Sequence, residues 1–179
     1  MNLPNRLTVL RVILVPVFVV FLLCNITGYD KYIALAIFII ASVTDFLDGK
    51  IARSRGLVTN FGKFMDPLAD KLLVCSAFIC FIELSKVPTW MVLIIIAREF
   101  VISGFRLVAA DNGVVIAASM WGKYKTAFSM VTICFLTIDI ANPIFYMITQ
   151  VLLWISLILT VVSLVDYIIK NKGVFEGSM

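Results

Sequence analysis

Apolar runs of helical length, cut by short polar breaks, set the pattern of this chain. The runs are continuous rather than alternating, which suits helices and not strands. Six spans can be drawn, over residues 6–26, 30–54, 60–84, 88–110, 119–139 and 143–169. The breaks at residues 25–30, 54–60, 85–88, 111–113 and 139–143 hold turn or polar residues. The first span follows Arg6 and Arg11 and mimics a signal peptide. It lacks a small-residue cleavage site, so a first transmembrane helix is expected.

Four of the spans are apolar over only half their length. Residues 32–44, 72–82, 87–97 and 126–138 are uncharged, runs of 11 to 13 residues. A full crossing takes about 20 residues. Beyond those runs stand Asp45, Asp48, Lys50 and Arg53 in span two, charges up to Lys71 in span three, Arg98, Glu99 and Arg106 in span four, and Lys123 and Lys125 in span five. Ionisable groups at such depth face a bundle interior or an aqueous cavity.

Composition adds the solvent. Of 179 residues, 62% are hydrophobic, and the mean hydropathy is +1.08. That is too apolar for a soluble domain, so the expected fold is all-α, a single membrane domain over residues 1–179 with six transmembrane helices and a cytosol-facing polar cavity. With both termini in the cytosol, 13 basic residues fall on the inner side, and only Lys31 and Lys86 on the outer. The net charge of +4 then belongs to the face with anionic headgroups. No nucleic-acid partner is expected. The chain has no histidine, which removes His-ligated metals, Ser-His triads and histidine bases. Cys24, Cys75, Cys80 and Cys134 lie scattered in apolar runs and read as small core residues.

The candidate chemistry lies in TDFLDGKIARSRGLVTNFGKFMDPLAD, residues 44–70. Asp45 and Asp48 are i, i+3, and Asp66 and Asp70 are i, i+4, so each pair shares a helix face. Asp48 lies nine residues before Leu57 and Asp66 nine after; Asp45 lies twelve before and Asp70 thirteen after. In a helical hairpin both pairs would reach ~13–20 Å from the turn at 1.5 Å per residue. Convergent carboxylates take up protons unless cations neutralise them. All-oxygen ligation suits Mg²⁺ or Mn²⁺, and four carboxylates suit two such ions. Gly49 and Ala52 continue the Asp45/Asp48 face and allow close approach, and Arg53 could clamp a phosphate. Interface charges paired with neighbouring lysines and arginines, or a cation-transport site, are the other readings of these residues.

The spacing D-x2-D-G-x2-A-R-x8-G-x3-D-x3-D, eight positions over 26 residues, resembles the signature of the CDP-alcohol phosphotransferases. The resemblance implies an integral-membrane enzyme, usually a homodimer, that moves a substituted phosphate from a CDP-alcohol to a second alcohol and releases CMP. NRLTVLRVILVP, DPLADK, IAREFVISGFR and WGKYKTAFSM further resemble bacterial members that act on glycerol 3-phosphate. This implies CDP-diacylglycerol as donor, sn-glycerol 3-phosphate as acceptor, and a multi-pass protein of the bacterial cytoplasmic membrane with its active site on the cytosolic side. It implies Asp45, Asp48, Asp66 and Asp70 as ligands of two divalent ions (Mg²⁺ or Mn²⁺). Asp70 would be the general base, and Gly49, Ala52 and Arg53 would line the CDP site. Span six adds nothing specific.

An acceptor bearing a phosphate needs further cations. The candidates are Arg98, Arg106, Lys123, Lys125 and Arg11, with Arg98 foremost because ten residues separate it from Pro88. Glu99 could brace this pocket, and Thr8 and Asn5 could add hydrogen bonds. The rivals are a sister enzyme using inositol phosphate or serine, an aspartate-rich membrane prenyltransferase, and a cation transporter.

Overall fold

The computed structural model describes the backbone of residues 3–55, 60–111, 116 and 119–171. It describes the side chains of residues 8–44, 68, 69, 71–110, 116 and 119–171. Six helices follow in order: α1 (Leu3–Leu23), α2 (Asp30–Arg55), α3 (Asn60–Glu83), α4 (Thr89–Asp111), α5 (Met120–Ile138) and α6 (Pro143–Lys170). The described residues contain no strand.

Five helices match the drawn spans to within a residue at each end, whereas α1 lies three residues earlier than expected. The apolar run ends at Cys24, whose N–H makes the last helical bond to the Val20 carbonyl at 2.8 Å, and the backbone then turns. Gly28 takes a φ of 78°, which a glycine adopts without a Cβ penalty. The Asp30 carboxylate accepts from the N–H groups of Thr27 and Gly28, both at 2.9 Å, and Thr27 Oγ1 accepts from the Tyr29 N–H at 3.3 Å. These bonds satisfy backbone donors ahead of α2 that no helix ladder would reach.

The chain divides into two compact units. One holds α1, α2, α3 and residues 133–139. In it α1 packs against both α2 and α3, and α2 meets α3. Thr8, Arg11, Val15 and Phe18 form the buried stripe of α1, and Ala34, Phe38 and Ala41 that of α2. The Phe18 and Phe38 rings lie 5.8 Å apart between them. At the end of α3, Ser85 turns with φ 55°. Lys86 then donates through Nζ to the Leu136 carbonyl at 3.0 Å and pairs with Asp139 Oδ2 at 2.9 Å. A cation thus closes the carbonyl end of α5.

The other unit holds α4, residues 120–132 of α5, and α6. Three pairs ascend together along α4 and α6: the rings of Trp90 and Trp154 at 6.0 Å, Arg98 Nε and Ser163 Oγ at 3.1 Å, and the rings of Phe105 and Tyr167 at 5.9 Å. These two helices therefore run parallel. α5 runs antiparallel to α6, since Ser129 meets Ser156 at 2.8 Å while Thr132 Oγ1 donates to the Leu152 carbonyl at 3.2 Å. Asn142 caps α6 by accepting from the Ile144 N–H at 2.8 Å, and Pro143 opens the helix where its missing N–H costs nothing.

α6 is arranged inside out relative to a helix in water. Thr149, Ser156, Thr160, Ser163 and Tyr167 are buried, while Ile144, Ile148, Val151, Ile158, Val161 and Val165 are exposed. Hydroxyls of Thr132, Thr137, Thr149 and Thr160 bond to carbonyls one turn back in their own helices. Both features suit hydrocarbon, where no water satisfies a polar group and small polar residues serve the helix contacts. Among the described residues, α6 alone is long and apolar enough to cross a membrane, and residues Thr8–Leu23 form a shorter apolar stretch. In α4 the apolar run is interrupted by Arg98, Glu99 and Arg106.

Candidate active site

The helical hairpin read from the aspartate spacing has its two arms as continuous helices. Asp45 and Asp48 stand within α2, and Asp66 and Asp70 within α3, so their i, i+3 and i, i+4 registers hold. The two helices are in contact. The side chains of Asp45, Asp48, Gly49, Ala52, Arg53, Asp66 and Asp70, and that of Asn5, lie outside the described residues. Among the described residues no group of three or more carboxylates and cysteines is placed to hold a metal ion.

The second unit holds a buried charge cluster of its own, on α4 and α5. Glu99 Oε1 accepts from Arg98 Nη1 at 3.1 Å and also binds Lys125 Nζ from α5. Their side chains are 13%, 9% and 2% exposed respectively. Among the described residues, two cations share this one carboxylate, an excess of positive charge in a place of low dielectric. A single buried pair would neutralise itself, but this arrangement retains attraction for an anion.

Arg98 is held on two edges. Its Nε donates to Ser163 Oγ, and Ser163 in turn donates to the Thr160 carbonyl at 3.0 Å. The serine has one proton, and its bond to Thr160 leaves the lone pairs to face Arg98. The third nitrogen, Nη2, lies beside Gly122 in the first turn of α5, where an added Cβ would stand 3.4 Å away. Ser119 caps that turn by accepting from the Gly122 N–H at 3.1 Å. Gly122 thus sets the first turn of α5 against the edge of the guanidinium that neither Ser163 nor Glu99 takes.

The five acceptor candidates separate by burial. Arg98 and Lys125 are brought together through Glu99, whereas Arg106 and Lys123 are exposed and stand outside this buried triad. Lys123 and Lys125 are two residues apart on one helix, which places them on different faces. Arg11 is buried in the other unit, on the stripe of α1 that also buries Thr8. Ser163 and Gly122 were not among the sequence candidates. The available signal was the hydroxyl series Ser156, Thr160 and Ser163 at helical spacing in an otherwise apolar α6.

The chain belongs to the CDP-alcohol phosphatidyltransferase family, whose model matches residues 1–162. The match runs from α1 into α6. Relatives named CDP-diacylglycerol–glycerol-3-phosphate 3-phosphatidyltransferase are similar over nearly the full length. The one from Bacillus subtilis (strain 168) is 42% identical, over 99% of this chain and 98% of its own. The one from Haemophilus influenzae is 39% identical, over 96% of this chain and 94% of its own. A probable phosphatidylglycerophosphate synthase of Mycobacterium tuberculosis is 37% identical, over 94% of this chain and 81% of its own.

Proposed function

We propose that this protein transfers the phosphatidyl group of CDP-diacylglycerol to sn-glycerol 3-phosphate, giving phosphatidylglycerol phosphate and CMP. The observation that carries the reading is the nearly full-length similarity to enzymes whose names specify that donor and that acceptor. The eight signature positions, set in two helices that touch, support the same chemistry.

The donor set of the hairpin is all carboxylate oxygen, which fits a hard divalent cation. Asp45, Asp48, Asp66 and Asp70 would hold two such ions, Mg²⁺ or Mn²⁺. When bound there, the ions supply charge neutralisation to the pyrophosphate and to the departing CMP. Asp70 takes the proton from the acceptor hydroxyl, a role that falls to a carboxylate in a chain without histidine. Gly49 and Ala52 admit the cytidine nucleotide close to the α2 backbone, and Arg53 binds its phosphate. Arg98 and Lys125 bind the phosphate of the acceptor, the anion for which their cluster has charge left over.

The setting follows from the same residues. Six spans place the ionisable halves of α2 to α5 toward an aqueous cavity on the cytosolic side, with both termini in the cytosol. The 13-to-2 division of basic residues supports this orientation. In the second unit, exposed Trp90 and Tyr146 near the starts of α4 and α6, and Trp121 and Tyr124 near the start of the antiparallel α5, suit two membrane interfaces. The family resemblance adds a homodimer.

Incubation of the purified protein with CDP-diacylglycerol, Mg²⁺ or Mn²⁺ and a panel of acceptor alcohols tests the reading. CMP release with glycerol 3-phosphate is expected. Release only with inositol phosphate or serine would move the protein to a sister activity, and failure of every acceptor to yield CMP with metal present would end the transferase reading.

A further inference from the structure

Glycerol 3-phosphate recognition, on the reading above, depends on a guanidinium whose direction is set by another helix. We propose that Ser163 of α6 is a positioning residue for acceptor recognition, acting through Arg98. The inference rests on the acceptor-site reading of Arg98.

An arginine side chain turns about four torsions, and a phosphate is bound best by a guanidinium already fixed in its plane. Glu99 fixes Nη1 from the neighbouring position of the same helix. One bond leaves the planar group free to swing about that contact. The second bond, from Nε to Ser163 Oγ, comes from α6 and removes the swing. Ser163 is itself directed, because its proton goes to the Thr160 carbonyl and it can only accept from Arg98. It is fully buried, so no water replaces it. With two edges held, Nη2 is fixed against the first turn of α5 at Gly122. Lysine at position 98 has no counterpart of Nε and makes no use of Ser163.

Kinetics on the purified full-length protein, varying each substrate in turn, tests the inference. Ser163→Ala is expected to raise the KM for glycerol 3-phosphate about tenfold, the equivalent of one bond to a charged group. The KM for CDP-diacylglycerol and the kcat at saturating acceptor should change by less than about twofold, the signature of lost acceptor binding. In an Arg98→Lys background the same Ser163→Ala substitution should add nothing, because the coupled group is gone. Ser163→Thr, which keeps the hydroxyl, should stay near the wild-type KM. If Ser163→Ala does not accumulate, Ser163→Cys carries the test, since a thiol is a weak acceptor of similar shape. A wild-type acceptor KM in Ser163→Ala or Ser163→Cys, alongside a raised one in Arg98→Ala, overturns the inference alone. So does a further rise when Ser163→Ala is added to Arg98→Lys. An unchanged acceptor KM in Arg98→Ala itself overturns the acceptor-site reading and this inference with it.

Discussion

Lys125 of α5 and Arg98 of α4 share one acceptor, Oε1 of Glu99, and both cations are nearly closed off from solvent. Among the described residues, the carboxylate thus faces two cations, and its loss is not equivalent to the loss of either. Removing Lys125 leaves a neutral Arg98–Glu99 pair, whereas removing Glu99 leaves two buried like charges. Leaving a buried charge without its partner costs about 3–5 kcal/mol. Glu99→Ala should approach that loss of unfolding free energy in detergent, and Lys125→Met should lose much less. Equal destabilisation of the two variants would show that the cluster is not held by its carboxylate.

The aspartate hairpin gives the reverse sign. Replacing a ligand carboxylate by its amide removes charge from a site where carboxylates repel in the absence of cations. Asp45→Asn, Asp48→Asn and Asp66→Asn should abolish divalent-dependent CMP release, yet melt no lower than wild type in a chelator. Asp70→Asn should retain donor binding and lose about 100-fold or more in turnover, the scale of a lost general base. A variant that turns over at the wild-type rate removes its residue from the proposed machinery.

Donor and acceptor sites should be separable at two arginines. Arg98→Ala should raise the KM for glycerol 3-phosphate by roughly 10- to 150-fold, as a charge-assisted bond of ~1.5–3 kcal/mol predicts. It should leave the KM for CDP-diacylglycerol nearly unchanged. Arg53→Ala should show the opposite pattern. Lysine should rescue Arg98 poorly, being a point charge without the planar fork. If Arg98→Ala weakens the donor instead, the cluster serves the nucleotide and the acceptor assignment passes to Arg106, Lys123 or Arg11.

The native cysteines report orientation. Cys24 follows the end of α1 and is exposed, Cys80 is buried, and Cys75 and Cys134 are half-buried within helices. With both termini in the cytosol, Cys24 lies at the outer face. A membrane-impermeant maleimide applied to intact cells should label the protein, and Cys24→Ser should abolish the labelling. Labelling confined to inside-out vesicles would reverse the proposed topology.

The number, type and approximate bounds of the helices were determined by the sequence alone, for a physical reason. In hydrocarbon a continuous apolar run has no other way to satisfy its backbone, so hydropathy translates directly into helix. The register of the four aspartates was legible for a similar reason, because 3.6 residues per turn decides which positions share a face. What periodicity leaves open is which face meets which neighbour. Lys123 and Lys125 look alike in the sequence; only the packing of α5 buries the second and exposes the first. Ser163 reads as one more hydroxyl in an apolar helix until α6 is set parallel to α4, sixty-five residues away, and meets Arg98. The turn ahead of α2, where Asp30 bonds back to Thr27 and Gly28, likewise shows only in the structure. Apolar burial is non-directional and shows in composition, whereas a hydrogen bond between helices exists only at the one distance and angle that tertiary packing supplies.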